Sequence, residues 1–455
     1  MEERDFNAEQ YGNRHVFDKR ERYPSVYHFV PPVGWINDPN GAVFYRGEYH
    51  LFYQYNPYDS VWGKPFWGHA VTKDFIRYRN LSVALVPGDD PEYGCFSGGA
   101  IVANDRLNLF YTRHFEGKNG YKEEQYAAYS QDGVHFRTPD VPVIGKDALT
   151  QNDCANDFRD PNPVFLDGNY YLCVGNKDVG GRGQVLVFRS RDLTTFEYHM
   201  AIRHESFGQM VECPDLFRLN GRDVLVFSSV GYDGSDSPNG KRHGSFALAG
   251  KIDFENKTYS FDEFIKLDEG TDFYAPQTVE TPDGRRIMFA WLDTWNEGNF
   301  LHTSGNRTSG RYALPRELCF EKEKLAVRPV REIYGYFGKE LSLTDSAVWN
   351  KNFYFNVSMR ENTRLSFSGP DGEITVGMKN GNLTVFSDQK HHLRWEKTLA
   401  LHKKEAALEI FSDAGSLELF TEDGRSVSMQ ALFEGEAITV RKSDGVQVIT
   451  AREIK

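Results

Sequence analysis

Trp35-Ile36-Asn37-Asp38-Pro39-Asn40-Gly41 runs straight into Ala42-Val43-Phe44-Tyr45, a turn at Arg46-Gly47, and a second aromatic run, Glu48-Tyr49-His50-Leu51-Phe52-Tyr53. Pro39 biases the residue before it towards extended backbone, and Asn40-Gly41 is turn chemistry. Asp38 is therefore expected at the end of an extended segment with its carboxylate held outward. By itself such a motif is more often a connecting loop than an active site. The two β-rich runs around a short turn are a hairpin.

The same order of polar site, apolar run, turn and second run returns along the first two-thirds of the chain. Asp38, Ser97, Asp160, Glu212 and Gln277 each precede such a unit, with turns near Gly47, Asp105, Gly168, Gly221 and Gly284. A second signal sits later in three units: Thr72-Lys73-Asp74-Phe75-Ile76-Arg77-Tyr78, Ser130-Gln131-Asp132-Gly133-Val134-His135-Phe136 and Ser190-Arg191-Asp192-Leu193-Thr194-Thr195-Phe196 share Ser/Thr, Asp and an aromatic at fixed offsets. A repeat of about four strands with hairpin connections is the unit of a β-propeller, and five units predict five blades. A propeller gathers the equivalent ends of its inner strands at one mouth, so Asp38, Asp160 and Glu212 are expected to face one another. Surface acids on turns are common, and that reading stands beside this one.

After Leu314-Pro315-Arg316-Glu317 the repeat is lost. Hairpin signals at Asp371-Gly372, Asn380-Gly381, Ala414-Gly415, Asp423-Gly424 and Asp444-Gly445 then follow, flanked by alternating runs. The expected fold is all-β: a five-bladed β-propeller over 1–320, with 1–27 as an N-terminal extension, a connector over 321–340, and a C-terminal antiparallel β-sandwich over 341–455.

Composition narrows the function. The chain has 455 residues, and 53 basic against 65 acidic side chains give a net charge of −12, which argues against nucleic acid or an anionic membrane as the main partner. No apolar run is long enough to span a bilayer, and the charged N-terminus lacks the core of a secretory signal. Five scattered cysteines, Cys95, Cys154, Cys173, Cys213 and Cys319, fit reduced, buried thiols in a cytoplasmic protein better than a disulfide framework or zinc ligands. No metal or cofactor is expected. Opposed carboxylates at a pocket mouth are the equipment of glycoside hydrolysis: one ionised to attack the anomeric carbon, one protonated to release the leaving oxygen.

On these residues the chain resembles the β-fructofuranosidase family, glycoside hydrolase family 32, which includes invertases, levanases and sucrose-6-phosphate hydrolases. The motifs are Trp35 to Gly41, Phe52 to Pro57, Trp67 to His69, Phe96 to Gly98, Phe158 to Pro161, Glu212 to Pro214 and Asp272 to Gln277, in the family's order and over nearly the whole chain. The resemblance implies a retaining hydrolase that releases terminal fructose from sucrose, sucrose 6-phosphate or short fructo-oligosaccharides. It implies Asp38 as nucleophile, Glu212 as general acid/base and Asp160 as transition-state stabiliser. It also places Trp35, Asn37, Gln54, Trp62, Phe96, Ser97 and Arg159 around the fructosyl unit, although core packing is the competing role for Trp35 and Trp62. The polar, Gly-rich segment Asn296 to Arg311 departs from the family pattern, and the sandwich is short. That segment carries His302, Arg307 and Arg311, which would suit a phosphate if they overhung the mouth; solvating a loop is their other role. A sugar-binding propeller without turnover, or a hydrolase of another furanoside, is the alternative.

Overall fold

The structure, a computed structural model, describes residues 19–89, 92–118, 120–232, 243–293 and 300–454. The first five sheets each begin with an inner strand: Gly34–Tyr45, Glu92–Ala103, Asp153–Leu166, Met210–Leu219 and Phe273–Glu280. Each inner strand lies against the next, and the fifth returns to the first, which closes a ring of five blades around a channel. The ring is fastened by Thr308–Ser309, which pairs in parallel with Gly34 and Trp35 between the second and third strands of the fifth blade.

The local chemistry behind the repeat is visible in the turns. Arg46-Gly47, Asn104-Asp105, Asp167-Gly168 and Asn220-Gly221 all have both residues at positive φ, between 48° and 84°. This is the two-residue hairpin turn whose twist matches that of the strands it joins. The shared Ser/Thr and Asp of the second signal fold one and the same turn. Thr72, Ser130 and Ser190 hydroxyls each accept the backbone N–H three residues on, all at 2.9 Å, and Asp74, Asp132 and Asp192 each accept two further N–H groups. These turns carry the chain from the third strand of a blade out to its edge.

Two expectations need correction. The second blade has three strands, because the segment that should supply the fourth carries Pro139 and Pro142 and makes only isolated bridges, Arg137 with Tyr129 and Ile144 with Gln125. A proline has no N–H to give to a ladder. The expected connector over 321–340 is mostly sheet: Lys324–Pro329 is the outer strand of the fifth blade, paired with Arg316–Glu321, and Phe337–Glu340 is an edge strand of the sandwich. Charge at Lys322, Glu323 and Lys324 hides this strand in the sequence, since an outer blade strand faces solvent on one side.

The sandwich is two six-stranded antiparallel sheets with its own apolar core, including Phe353, Phe355, Phe367, Leu419 and Val440. A polar seam joins it to the propeller. Arg316, fully buried, donates to Asp268 at 2.9 Å and to Glu418 at 2.6 Å, and also to the Ser426 and Ser428 hydroxyls. His28 lies between Asp413 at 2.9 Å and Glu418 at 2.6 Å, both ring nitrogens facing carboxylates. Of the expected N-terminal extension, 1–18 lie outside the described residues, while the backbone N–H groups of Val26 and Tyr27 donate to Asp413.

Candidate active site

Every inner strand breaks register at the same height. The breaks fall between Ile36 and Pro39, Phe96 and Gly98, Arg159 and Asn162, Glu212 and Asp215, and Tyr274 and Gln277. A bulge at such a point ends pairing and re-aims a side chain. The residues at the bulges are Asp38, Ser97, Asp160, Cys213 and Ala275. Prolines 39, 161, 214 and 276 follow four of them and cannot donate to the ladder. Asp160, Cys213 and Ala275 sit at φ of 63°, 49° and 53°, a conformation that costs an L residue free energy and persists where surrounding structure enforces it.

This alignment corrects the phase of the repeat. Glu212 stands one residue before its bulge, in line with Asn37, Phe96, Arg159 and Tyr274, and Gln277 stands two after. Gln277 is buried and donates its side-chain N–H to the Gly98 carbonyl at 2.7 Å. The sequence intervals alone could not separate these phases, because the loops between blades differ in length.

Asp38 is 9% exposed. Its Oδ2 accepts the Ser97 hydroxyl at 2.6 Å and its Oδ1 accepts Asn37 Nδ2 at 3.3 Å. Asn37 Nδ2 also reaches Gln54 Oε1 at 3.0 Å, and Gln54 Nε2 donates to the Ser97 oxygen at 2.7 Å. The four side chains thus close a ring that fixes the carboxylate. Burial pushes the Asp38 carboxyl up to about 6 against the Ser97 hydrogen bond, with the Glu212 charge adding to the rise.

Asp160 Oδ2 accepts the Cys213 backbone N–H at 2.9 Å, and its own N–H donates to the Thr112 hydroxyl at 3.0 Å. The Cys213 thiol lies 3.6 Å from both Asp38 Oδ2 and Asp160 Oδ2, so the two carboxyls flank one sulfur. Burial, then the Glu212 charge, holds Asp160 well above the usual carboxylate range. Acids crowded in a buried mouth oppose one another's ionisation.

Glu212 has a different setting. Arg159 donates to its Oε1 from Nε at 3.1 Å and Nη2 at 2.8 Å, and the Tyr274 hydroxyl donates to Oε2 at 2.6 Å. Tyr274 falls inside a quoted motif, Asp272 to Gln277, yet sequence reasoning gave it no role. Cys213 and Thr112 were missed as well, the first masked by its acidic neighbour and the second outside any motif.

Around these acids the expected aromatic residues divide. Trp35 is buried, donates its indole N–H to Asn37 at 3.2 Å and meets Trp291 edge to face, so it packs and positions at once. Phe96 stacks on His114 with ring centroids 4.3 Å apart. Trp62, 46% exposed, stacks on Tyr93. Two bases of the polar segment meet different partners. Arg311 is buried and donates to the Asp413 and Ala414 carbonyls of the sandwich, and His302 faces the Ser60 hydroxyl at 3.0 Å. Residues 296–299 lie outside the described residues. Domain contact thus claims Arg311, and the first blade's loop claims His302.

The family model of the glycosyl hydrolases family 32 N-terminal domain matches residues 28–329, and that of the family 32 C-terminal domain matches 337–454. The chain belongs to glycosyl hydrolase family 32. Among the relatives it resembles is a sucrose-6-phosphate hydrolase of Bacillus subtilis, 32% identical over 88% of this chain and 87% of that protein. Another, of Escherichia coli, is 31% identical over 94% and 93%. A solved GH32 beta-fructofuranosidase from Bombyx mori superposes with a TM-score of 0.86 at 30% identity, covering 98% of this chain and 97% of that one. A variant of the same Bombyx mori enzyme was solved in complex with sucrose.

Proposed function

We propose that the chain is a retaining β-fructofuranosidase acting by double displacement on sucrose 6-phosphate or sucrose. The observation that carries this is the contrast between two carboxyls of the mouth. Asp38 is held by neutral donors, the Ser97 hydroxyl and the Asn37 amide, whereas Glu212 meets a guanidinium and a phenol that stabilise the charge left when it gives up its proton.

In the first step Asp38 attacks the anomeric carbon of the fructosyl unit, and Glu212 gives its proton to the departing glycosidic oxygen. The Ser97, Asn37 and Gln54 ring keeps Asp38 from turning. In the second step Glu212, now ionised and stabilised by Arg159 and Tyr274, takes a proton from the water that cleaves the ester. Asp160, oriented by the Cys213 N–H, lies on the same side of the mouth as Asp38 and meets the fructose hydroxyls. The first step needs a proton donor and the second a proton acceptor, both distinct from the nucleophile, which a sugar-binding propeller would not require.

The sucrose-6-phosphate hydrolases of Bacillus subtilis and Escherichia coli, matched over 87% and 93% of their lengths, favour the phosphorylated disaccharide as substrate. All five cysteines are free thiols, which fits the cytoplasm, where a phosphorylated sugar is met. Among the described residues no helix is long and apolar enough to cross a membrane. The test compares kcat/KM on sucrose 6-phosphate, sucrose and a short inulin oligosaccharide. Highest efficiency on sucrose 6-phosphate is expected. Preference for the oligosaccharide would overturn the substrate, and no fructose from any of the three would overturn the activity.

A further inference from the structure

Arg159 does not serve Glu212 alone. While Nε and Nη2 hold Glu212, its Nη1 is shared between Glu123 Oε2 at 3.3 Å and Asp157 Oδ1 at 3.1 Å. One guanidinium thus faces three carboxylates. Glu123, on the third strand of the second blade, is buried and accepts the Phe158 N–H at 2.8 Å, which fixes it beside Arg159. It also faces His114 Nδ1 at 3.1 Å. Asp157 is covered from the other side: Lys177, on the second strand of the third blade, contacts its Oδ2 at 2.7 Å, and the Tyr121 hydroxyl donates to Oδ1 at 3.1 Å. Burial alone would raise the Asp157 carboxyl, but Lys177 and Arg159 outweigh it and hold it below the usual range.

We propose that Glu123 and Lys177 are positioning residues that act on Glu212 through Arg159 with opposite signs. Glu123 draws the guanidinium's charge away from Glu212 and so favours the protonated acid needed for the first step. Lys177 neutralises Asp157, which leaves more of that charge for Glu212 and favours the ionised base needed for the second. The two together set where the enzyme stops being an acid. This rests on the assignment of Glu212 as the acid/base. The other groups facing Glu212 are the Tyr274 phenol, Asp38, Asp160 and the Cys213 thiol, with His243 behind Tyr274. None of these is altered when Glu123 or Lys177 is changed.

The readout is the basic limb of the kcat/KM pH profile for sucrose, which reports loss of the essential proton from free enzyme. Glu123→Gln is expected to move that limb to lower pH by about half a unit to one unit, and Lys177→Met to move it to higher pH by a similar or smaller amount, a fraction of the roughly 1 to 3 units a charge in direct contact produces, because each acts through Arg159. Glu123→Asp should return the limb most of the way. Glu116→Gln is the control: Glu116 is an exposed acid 3.8 Å from His114 Nε2 that does not touch Arg159, and its removal should leave the limb in place. Limbs that stay put in both variants, that move the same way, or that move as far in Glu116→Gln overturn the proposal. Lys177 is partly exposed, so its variant decides the matter if Glu123→Gln folds poorly. Glu212→Ala assayed with azide separates the two levels. If its basic limb persists, the acid/base assignment fails; if it vanishes while Glu123→Gln and Lys177→Met leave the wild-type limb unmoved, only the relay through Arg159 fails.

Discussion

Replacing Asp38 by Asn should make the protein more stable at neutral pH while removing its activity. An acid whose folded value lies above its unfolded one is ionised more readily in the unfolded chain, so raising the pH favours unfolding. For Asp38 the two values are about 6 and 3.8. The destabilisation is absent below the unfolded value, grows between the two, and is complete above about 6. At 1.36 kcal/mol per unit, the cost at pH 7 is roughly 3 kcal/mol. An asparagine at this position would carry no charge to bury, and its side-chain oxygen would still accept the Ser97 hydroxyl. Asp38→Asn is therefore expected to exceed wild type by about 2 to 3 kcal/mol in urea unfolding at pH 7, with the gap closing as the pH falls to about 4. Turnover of sucrose should drop by several powers of ten in the same preparation. A variant no more stable than wild type at pH 7, or a gap that does not depend on pH, would refute the burial of an ionised nucleophile.

Three further outcomes follow from other contacts. Ser97→Ala removes a hydrogen bond to the Asp38 carboxylate worth about 1.5 to 3 kcal/mol, so the acid limb of the kcat/KM profile should rise by about one pH unit or more; an unmoved limb would count against Asp38 as the group that must be ionised. Arg316→Met strands Asp268 and Glu418 in the buried seam and should cost about 3 to 5 kcal/mol in urea unfolding; a change under about 1 kcal/mol would show that the seam is solvated. Burial alone would lower the His28 value, but its bonds to Asp413 and Glu418 raise it above the ordinary 6.5. The stability it adds is fully present below 6.5 and is lost as pH climbs through the raised folded value, so melting temperature should fall on the alkaline side in wild type and less steeply in His28→Gln.

The blades were legible because they are built from local signals: a two-residue turn at positive φ between the first two strands, a Ser/Thr and Asp pair that folds a later turn in three of the five units, and apolar runs between. Asp38, Ser97 and Asp160 could be read at equivalent places because Pro or Gly follows each directly. The phase failed at Glu212 and Gln277, where the bulge residue is Cys213 or Ala275 and carries no charge to mark it. The fourth strand of the second blade failed for the opposite reason, since two prolines break a ladder that the repeat led one to expect. What the sequence could not show were contacts between residues far apart in the chain. Arg316 gives no sign of the sandwich carboxylate it meets, and Arg311 reads as a surface base until its carbonyl partners are seen. Glu123 and Lys177 belong to no motif, and only the folding of two blades brings them to either side of Arg159.

The most direct test of the double displacement through Asp38 is the configuration of the product when methanol competes with water. Fructose has no anomeric hydrogen, so the methyl fructoside formed first from sucrose is read by carbon NMR. Two inversions, one at Asp38 and one at the ester, should give the β-methyl fructoside; the α-configured product would mean a single displacement by solvent and would contradict a covalent role for Asp38.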